Sequence, residues 1–170
     1  MMTVRPLHDR IAYRPVGRLC SGPRYVAGSD HWCGVVEAVG TGRCADMLRV
    51  GDWVWIQPQP HCLDMAQAQG RLIIRAREVA GYYRDGAVHP MPGRAAVLVD
   101  ADVPPLSATA SGILLYRQAV AYPQLGVDHE GRRVLWNRTA APQIRRSVGL
   151  DVWAFIPADG VLAVVTDEAA

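Results

Sequence analysis

"CGVVEAVGTGRCADMLRVGDWVWIQ", residues 33–57, decides the fold class of this chain. It opens on a β-branched run, passes through a Gly-Thr-Gly punctuation, and ends on Gly51-Asp52 followed by "WVWIQ". Strict alternation in the last piece sets Val54 and Ile56 on one face and Trp53 and Trp55 on the other, the period of a half-buried strand. Gly51 and Asp52 supply the turn that feeds it. Working outward, "RIAYR" (10–14) and "GRLIIRA" (70–76) are further short β-branched or aromatic runs bounded by Gly, Pro and Asp. A helical spacing over three turns is absent, and "CLDMAQAQ" (62–69) has room for one short turn at best. The reading is all-β, with strands at spacings that suit small barrels or sandwiches.

The second half repeats this plan. "LDVWAFIPADGVLAVV" (150–165) has the strand, turn and strand of "GRLIIRAREVAGYY" (70–83). "EGRRVLWN" (130–137) is a weaker version of "VGDWVWI" (50–56), and "MPGRAAVLVD" (91–100) echoes "RPLHDRIAYR" (5–14). Two related modules follow, 1–86 and 87–170, joined near "RDGAVHP" (84–90).

Composition bounds the function. The chain has 170 residues, half of them hydrophobic, and a net charge of +2, which calls for neither nucleic acid nor a membrane surface. No run of eighteen apolar residues and no charged leader is present, so a soluble cytoplasmic protein is expected. Cys20, Cys33, Cys44 and Cys62 lack C-x-x-C spacing even with His31 and His61 nearby, and they read as thiols in a reducing compartment, with no metal. His8 and Asp9 stand side by side in "LHDR", a pair suited to structural hydrogen bonds or salt links. No nucleophile elbow and no G-x-G-x-x-G phosphate loop are present, so no enzyme and no cofactor is expected.

In order and spacing, "RPLHDRI" (5–11), "GVVEAVGTGR" (34–43), "VGDWV" (50–54) and a closing apolar strand pair resemble the chaperonin-10 (GroES-type) co-chaperonin family. "GVVEAVGTGRCADMLRVGDWV" (34–54) also resembles the catalytic domain of medium-chain zinc alcohol dehydrogenases, which share the fold. That family's dinucleotide loop and zinc spacing are missing. The first resemblance implies two GroES-like small β-barrels in tandem, forming a homo-oligomeric ring that caps a GroEL-type chaperonin. Such a lid binds the apical domains through a mobile hydrophobic loop and encloses unfolded substrate protein, while ATP hydrolysis belongs to the partner.

On that resemblance the loop of the second module spans about 106–118, with Ser111 and Gly112 leading to the hook Ile113, Leu114 and Leu115. The first module's loop, about 18–30, offers the weaker Tyr25, Val26 and Ala27, with Pro23 and Arg24 intruding. A chain-end interface is implied for Arg5, Pro6, Leu7, His8, Asp9 and Arg10, meeting Val161, Leu162 and Val164 of a neighbour. Read without the family, three aliphatics among Ser, Thr, Ala and Gly form either a mobile hook or a core strand. An alternative keeps the fold and makes the chain a ring-forming structural or interaction protein, such as a viral one, that caps nothing.

Overall fold

A computed structural model describes residues 4–15, 33–57, 66–68, 70–99, 109–117, 131–137, 144–148 and 151–165. The chain is all-β, with three short 3₁₀ turns and no α-helix among the described residues. It divides into two compact units, residues 1–87 and 88–170.

The strands of the first sheet are β1 (Arg10–Pro15), β2 (Cys33–Val39), β3 (Trp53–Ile56), β4 (Ala66–Ala68), β5 (Arg71–Arg75), β6 (Val79–Arg84) and β7 (Ala87–Pro90). They lie in the order β4-β5-β1-β2-β3-β6-β7. The second sheet contains β8 (Arg94–Val99), β9 (Thr109–Arg117), β10 (Arg133–Asn137), β11 (Ile144–Val148), β12 (Asp151–Pro157) and β13 (Val161–Val164). Their order is β11-β12-β8-β9-β10-β13. Strand for strand, this is the order of the first six in the first sheet.

The correspondence extends to single residues. Ala12 lies opposite Ala38 and Tyr13 opposite Val36, with a bulge between them. Ala96 lies opposite Tyr116 and Val97 opposite Leu114, again with a bulge between. A second bulge falls between Trp55 and Ile56 against β6, and its counterpart between Leu135 and Trp136 against β13. A bulge bends one strand at a defined place, so matched bulges give matched curvature. Both units also close the same joint: Ala76 N donates to Asp9 O at 2.9 Å, and Ala158 N to Gly93 O at 3.1 Å.

Inside the sheets the volumes are traded. Ile11, Tyr13, Val36, Val54, Ile56 and Ile74 are buried in the first unit. The second packs Ala95, Val97, Val134, Trp136, Ala154 and Ile156 into one cluster, with Val99, Val161 and Val164 against it. The register sets Trp136 where the first unit has Ile56, and Ala95 and Ala154 where it has Ile11 and Leu72. A larger ring at one position thus accompanies shorter side chains at two others in the same cluster.

Two expectations change. Residues 66–68, given at most a helical turn, form β4, because Gln67 pairs with Leu72 in a ladder that a turn cannot make. Residues 109–117, expected within a mobile loop, form β9, which has hydrogen-bonded neighbours on both sides: Ile113 lies opposite Leu98 of β8 and Arg133 of β10. The flexible Ser-Gly lead is no obstacle, since ladder bonds on both flanks hold what local propensity does not.

Candidate functional site

The sequence motifs at the start of the chain meet in one joint. His8 takes a positive φ of 57°, unusual for a residue with a Cβ, and its carbonyl accepts the Arg10 N–H at 2.8 Å. This tight turn runs directly against the end of β2. A Cβ on Gly40 would stand 2.2 Å from His8 O, so only glycine lets the two backbones approach. Asp9 then reaches across: its Oδ1 accepts Cys44 N at 3.0 Å and Ala45 N at 2.7 Å, tying down the 3₁₀ turn Ala45–Met47. The "HD" pair is thus structural, as its sequence suggests, although it sits in a bend rather than in a strand.

The same connection is held at its other end by a group the sequence reading missed. Asp52 is 3% exposed and accepts Arg49 N at 2.7 Å, and Arg84 Nε donates to its Oδ1 at 2.7 Å. Arg84 Nη2 donates to Met47 O at 2.9 Å, and the guanidinium carbon lies 4.6 Å from the centre of the Tyr82 ring. Hydrogen bonding to Asp52 holds this guanidinium above its ordinary pKa, more than offsetting its desolvation. Arg84 was legible only as the residue before a turn, and nothing in the spacing links it to a residue 32 positions earlier.

On the outward side Glu37 accepts from Arg71 and pairs with Arg14 at 3.2 Å across β1, β2 and β5. Matching the ladders sets Leu98, Leu115 and Trp153 where Arg14, Glu37 and Arg71 stand. At these three positions the second unit has no charged residue.

The expected chain-end residues divide by exposure. Arg5 and Leu7 are exposed, Pro6 is buried, and His8, Asp9 and Arg10 belong to the joint just described. Val161, Leu162 and Val164 lie on β13, the outermost strand of its sheet among the described residues, where Leu162 is 58% exposed. The other outer strands are blunted in ways that discourage pairing: β4 has three residues, β7 ends at Pro90, and β11 carries Arg145 and Arg146. Chain-end strand β13 has no such guard.

Ser111, Gly112, Ile113, Leu114 and Leu115 are in β9, between two strands, and not on a loop. By register they correspond to Cys33–Glu37 of β2, which carries the "GVVEAVG" framework motif. Tyr25, Val26 and Ala27 lie outside the described residues, as do Cys20, Cys62, His31 and His61. Neither Cys33 nor Cys44 is in a disulfide, and burial, then Asp9, pushes the Cys44 pKa up. Among the described residues no three His, Cys, Asp or Glu side chains are placed to hold a metal, and no helix is long and apolar enough to cross a membrane. The chain matches no family model, and no curated protein matches it.

Proposed function

We propose that this chain is a co-chaperonin of the chaperonin-10 type, carrying two barrel modules, which associates with its own copies and docks on the apical surface of an ATP-driven chaperonin. One observation carries the reading. Two of the stretches that resemble the family, "RPLHDRI" and "GVVEAVGTGR", meet in one packed joint through Asp9 and Gly40, and the third, "VGDWV", pairs with β2 at the other end of the same connection. The matched strand order supports a duplicated module.

Self-association would use the bare edge. Its exposed Leu162 and its outermost place among the described strands favour another strand, and the first residues of a neighbouring copy are the ones that the resemblance supplies. Contact with the chaperonin then falls to Tyr25, Val26 and Ala27, because Ile113–Leu115 lie within a sheet. Each apolar side chain inserted into a groove contributes about 1.5–3 kcal/mol, against roughly 2–5 kcal/mol for ordering the segment. A single contact is weak, and a ring of them gains by avidity while remaining releasable when the partner changes shape.

The test is nucleotide-dependent co-sedimentation with a GroEL-type chaperonin, with native mass measurement of the chain alone. Tyr25→Ser with Val26→Ser is expected to abolish co-sedimentation and leave the oligomer intact. Equal binding by the double variant and its parent would remove the hook from these residues. The position of Ile113 in β9 favours a second reading, in which the chain builds a ring and caps nothing; an intact oligomer with no chaperonin binding by the parent is its signature.

A further inference from the structure

Two matched turns carry opposite charge. The 3₁₀ turn Ala76–Glu78 leads into β6 and the 3₁₀ turn Ala158–Gly160 leads into β13, and their exposed middle residues are Arg77 and Asp159. The joint beside the first turn is rich in arginine. Ala76 N donates to Asp9 O at 2.9 Å and Arg75 lies opposite Arg10, so Arg10, Arg75 and Arg77 gather there. Arg43 joins them: burial and Asp9 raise the Cys44 pKa, and the charges of both Arg43 and Arg77 oppose that rise. Against these four stand three acids. Asp9 has its Oδ1 taken by two backbone N–H groups, Glu78 is buried, and only Asp46 is exposed. The second unit has Gly93, Arg94, Pro157, Asp159 and Gly160 where the first has Asp9, Arg10, Arg75, Arg77 and Glu78.

The first sheet shows how an outer strand is covered. β7 lies beside β6, and the two are joined through Asp85 and Gly86, both at positive φ, the geometry of a tight antiparallel hairpin. Val79 and Ala80 of β6 are fully buried. β13 has the place of β6 in the second sheet with no strand beyond it among the described residues, and Leu162, which matches Ala80, is 58% exposed. The residues before β1 match β7 and the residues after it, counting back from Arg10 and Arg94; Leu7 is 65% exposed where Met91 is 2% exposed. Both halves of a joint that the chain makes once therefore stand exposed elsewhere in it. Repeating that joint between copies runs residues 4–7 of one antiparallel to β13 of another, which brings the Ala158–Gly160 turn of the second to the arginines around Asp9 of the first.

We infer that charge selects the partner of the β13 edge: a second copy, seated head to tail, whose arginine-rich joint receives Asp159. The inference rests on the self-association proposed above and is independent of any chaperonin. Asp159 meets Arg10, Arg43, Arg75 and Arg77 with opposite charge, whereas an arginine at that place, as in the first unit, would meet them with like charge. The same charges disfavour the symmetric alternative. Two β13 strands paired antiparallel would set the approach to one beside the residues that follow the other, and both carry acids, Asp159 before and Asp167 and Glu168 after.

The experiment measures the dissociation midpoint of the full chain by sedimentation equilibrium at about 50 and about 500 mM sodium chloride. The parent's midpoint is expected to rise about tenfold at the higher salt. At the lower salt Asp159→Arg raises it about tenfold, and so does Arg43→Glu with Arg77→Glu. All three positions are exposed, so the fold is kept. Combining the three changes in one chain returns the midpoint to within about threefold of the parent's, a rescue that a merely structural role would not give. An oligomer that ignores salt, or a triple variant as weak as its components, overturns the charge selection and leaves the bare-edge association standing. A parent that is monomeric at every concentration and salt overturns the association and the inference together.

Discussion

The connection from β2 to β3 in the first unit and three ladder positions on β8, β9 and β12 in the second make an instructive pair. The first is a stretch of backbone fastened by charge: Asp9 holds one end, and Asp52 with Arg84 holds the other. The second has exchanged charge for carbon, with Leu98, Leu115 and Trp153 standing where Arg14, Glu37 and Arg71 form an ionic cluster. Strand order and bulges are nevertheless the same in both units. Their shared features are inward apolar positions and ladder register, so these specify the sheet. Charged locks are local additions that fasten particular connections without choosing the topology.

The sharpest way to break the comparison is to remove a lock at its most buried point. Asp52→Ala leaves Arg84 without its carboxylate and Arg49 N without an acceptor. Deleting one partner of such a buried pair costs about 3–5 kcal/mol. Urea unfolding should lose that much stability, and a loss under about 1 kcal/mol would show that the lock is dispensable. Next in size is Gly34→Ala: a Cβ there would lie 2.2 Å from Arg14 O, and the expected cost is about 3 kcal/mol, at the upper end for overpacking. Gly112 has the same register position in β9, so Gly112→Ala examines whether the second sheet is as closely paired there. A neutral Gly112→Ala beside a damaging Gly34→Ala would separate the two ladders.

These variants probe what sequence could and could not convey. Alternation made "WVWI" a strand, but Trp55 is buried together with Val54 and Ile56, and a bulge between Trp55 and Ile56 interrupts the two-residue period that the sequence showed. The repeat was legible wherever strand and turn recur together, as in 70–83 and 150–165. It was misread at 109–117, where three adjacent aliphatics fit a hook and a strand equally well and only the register with β8 and β10 separates them. The Asp52–Arg84 lock was not legible, because strand pairing brings the two residues together and no short-range spacing encodes it. The bare edge of β13 could be named from the resemblance. That the other outer strands are guarded by brevity, Pro90 or paired arginines emerges only once the sheet order is known.

Asp9 offers a smaller effect with two readouts. Asp9→Ala deprives Cys44 N and Ala45 N of their acceptor, and a cost of about 1–2 kcal/mol is expected, in the range of a lost cap. The thiol supplies the second readout. Burial raises the Cys44 pKa first, and the Asp9 charge raises it further, so at neutral pH the group stays protonated. Removing the negative charge brings the pKa down, increases the thiolate fraction and speeds alkylation. An unchanged rate at Cys44 in Asp9→Asn would mean that burial alone governs the thiol.

The smallest expected effect sharpens the comparison most directly. Glu37→Leu gives the first unit the residue that the second has at the matching position. Arg14 is 66% exposed and contributes little through an ion pair open to water, and Arg71, 28% exposed, keeps solvent access after the change. The stability change should therefore lie within about 1 kcal/mol, because the weak pairs that are lost are offset by an aliphatic side chain on a strand that already favours β-branched and apolar neighbours. Rising salt should narrow the gap between parent and variant further, since screening removes what remains of the ionic contribution. If Glu37→Leu instead costs as much as Asp52→Ala, the cluster across β1, β2 and β5 is as much a part of the fold as the buried lock. The apolar version in the second unit must then depend on compensating changes at Leu98 and Trp153, and the triple exchange Arg14→Leu, Glu37→Leu, Arg71→Trp should recover what the single change loses.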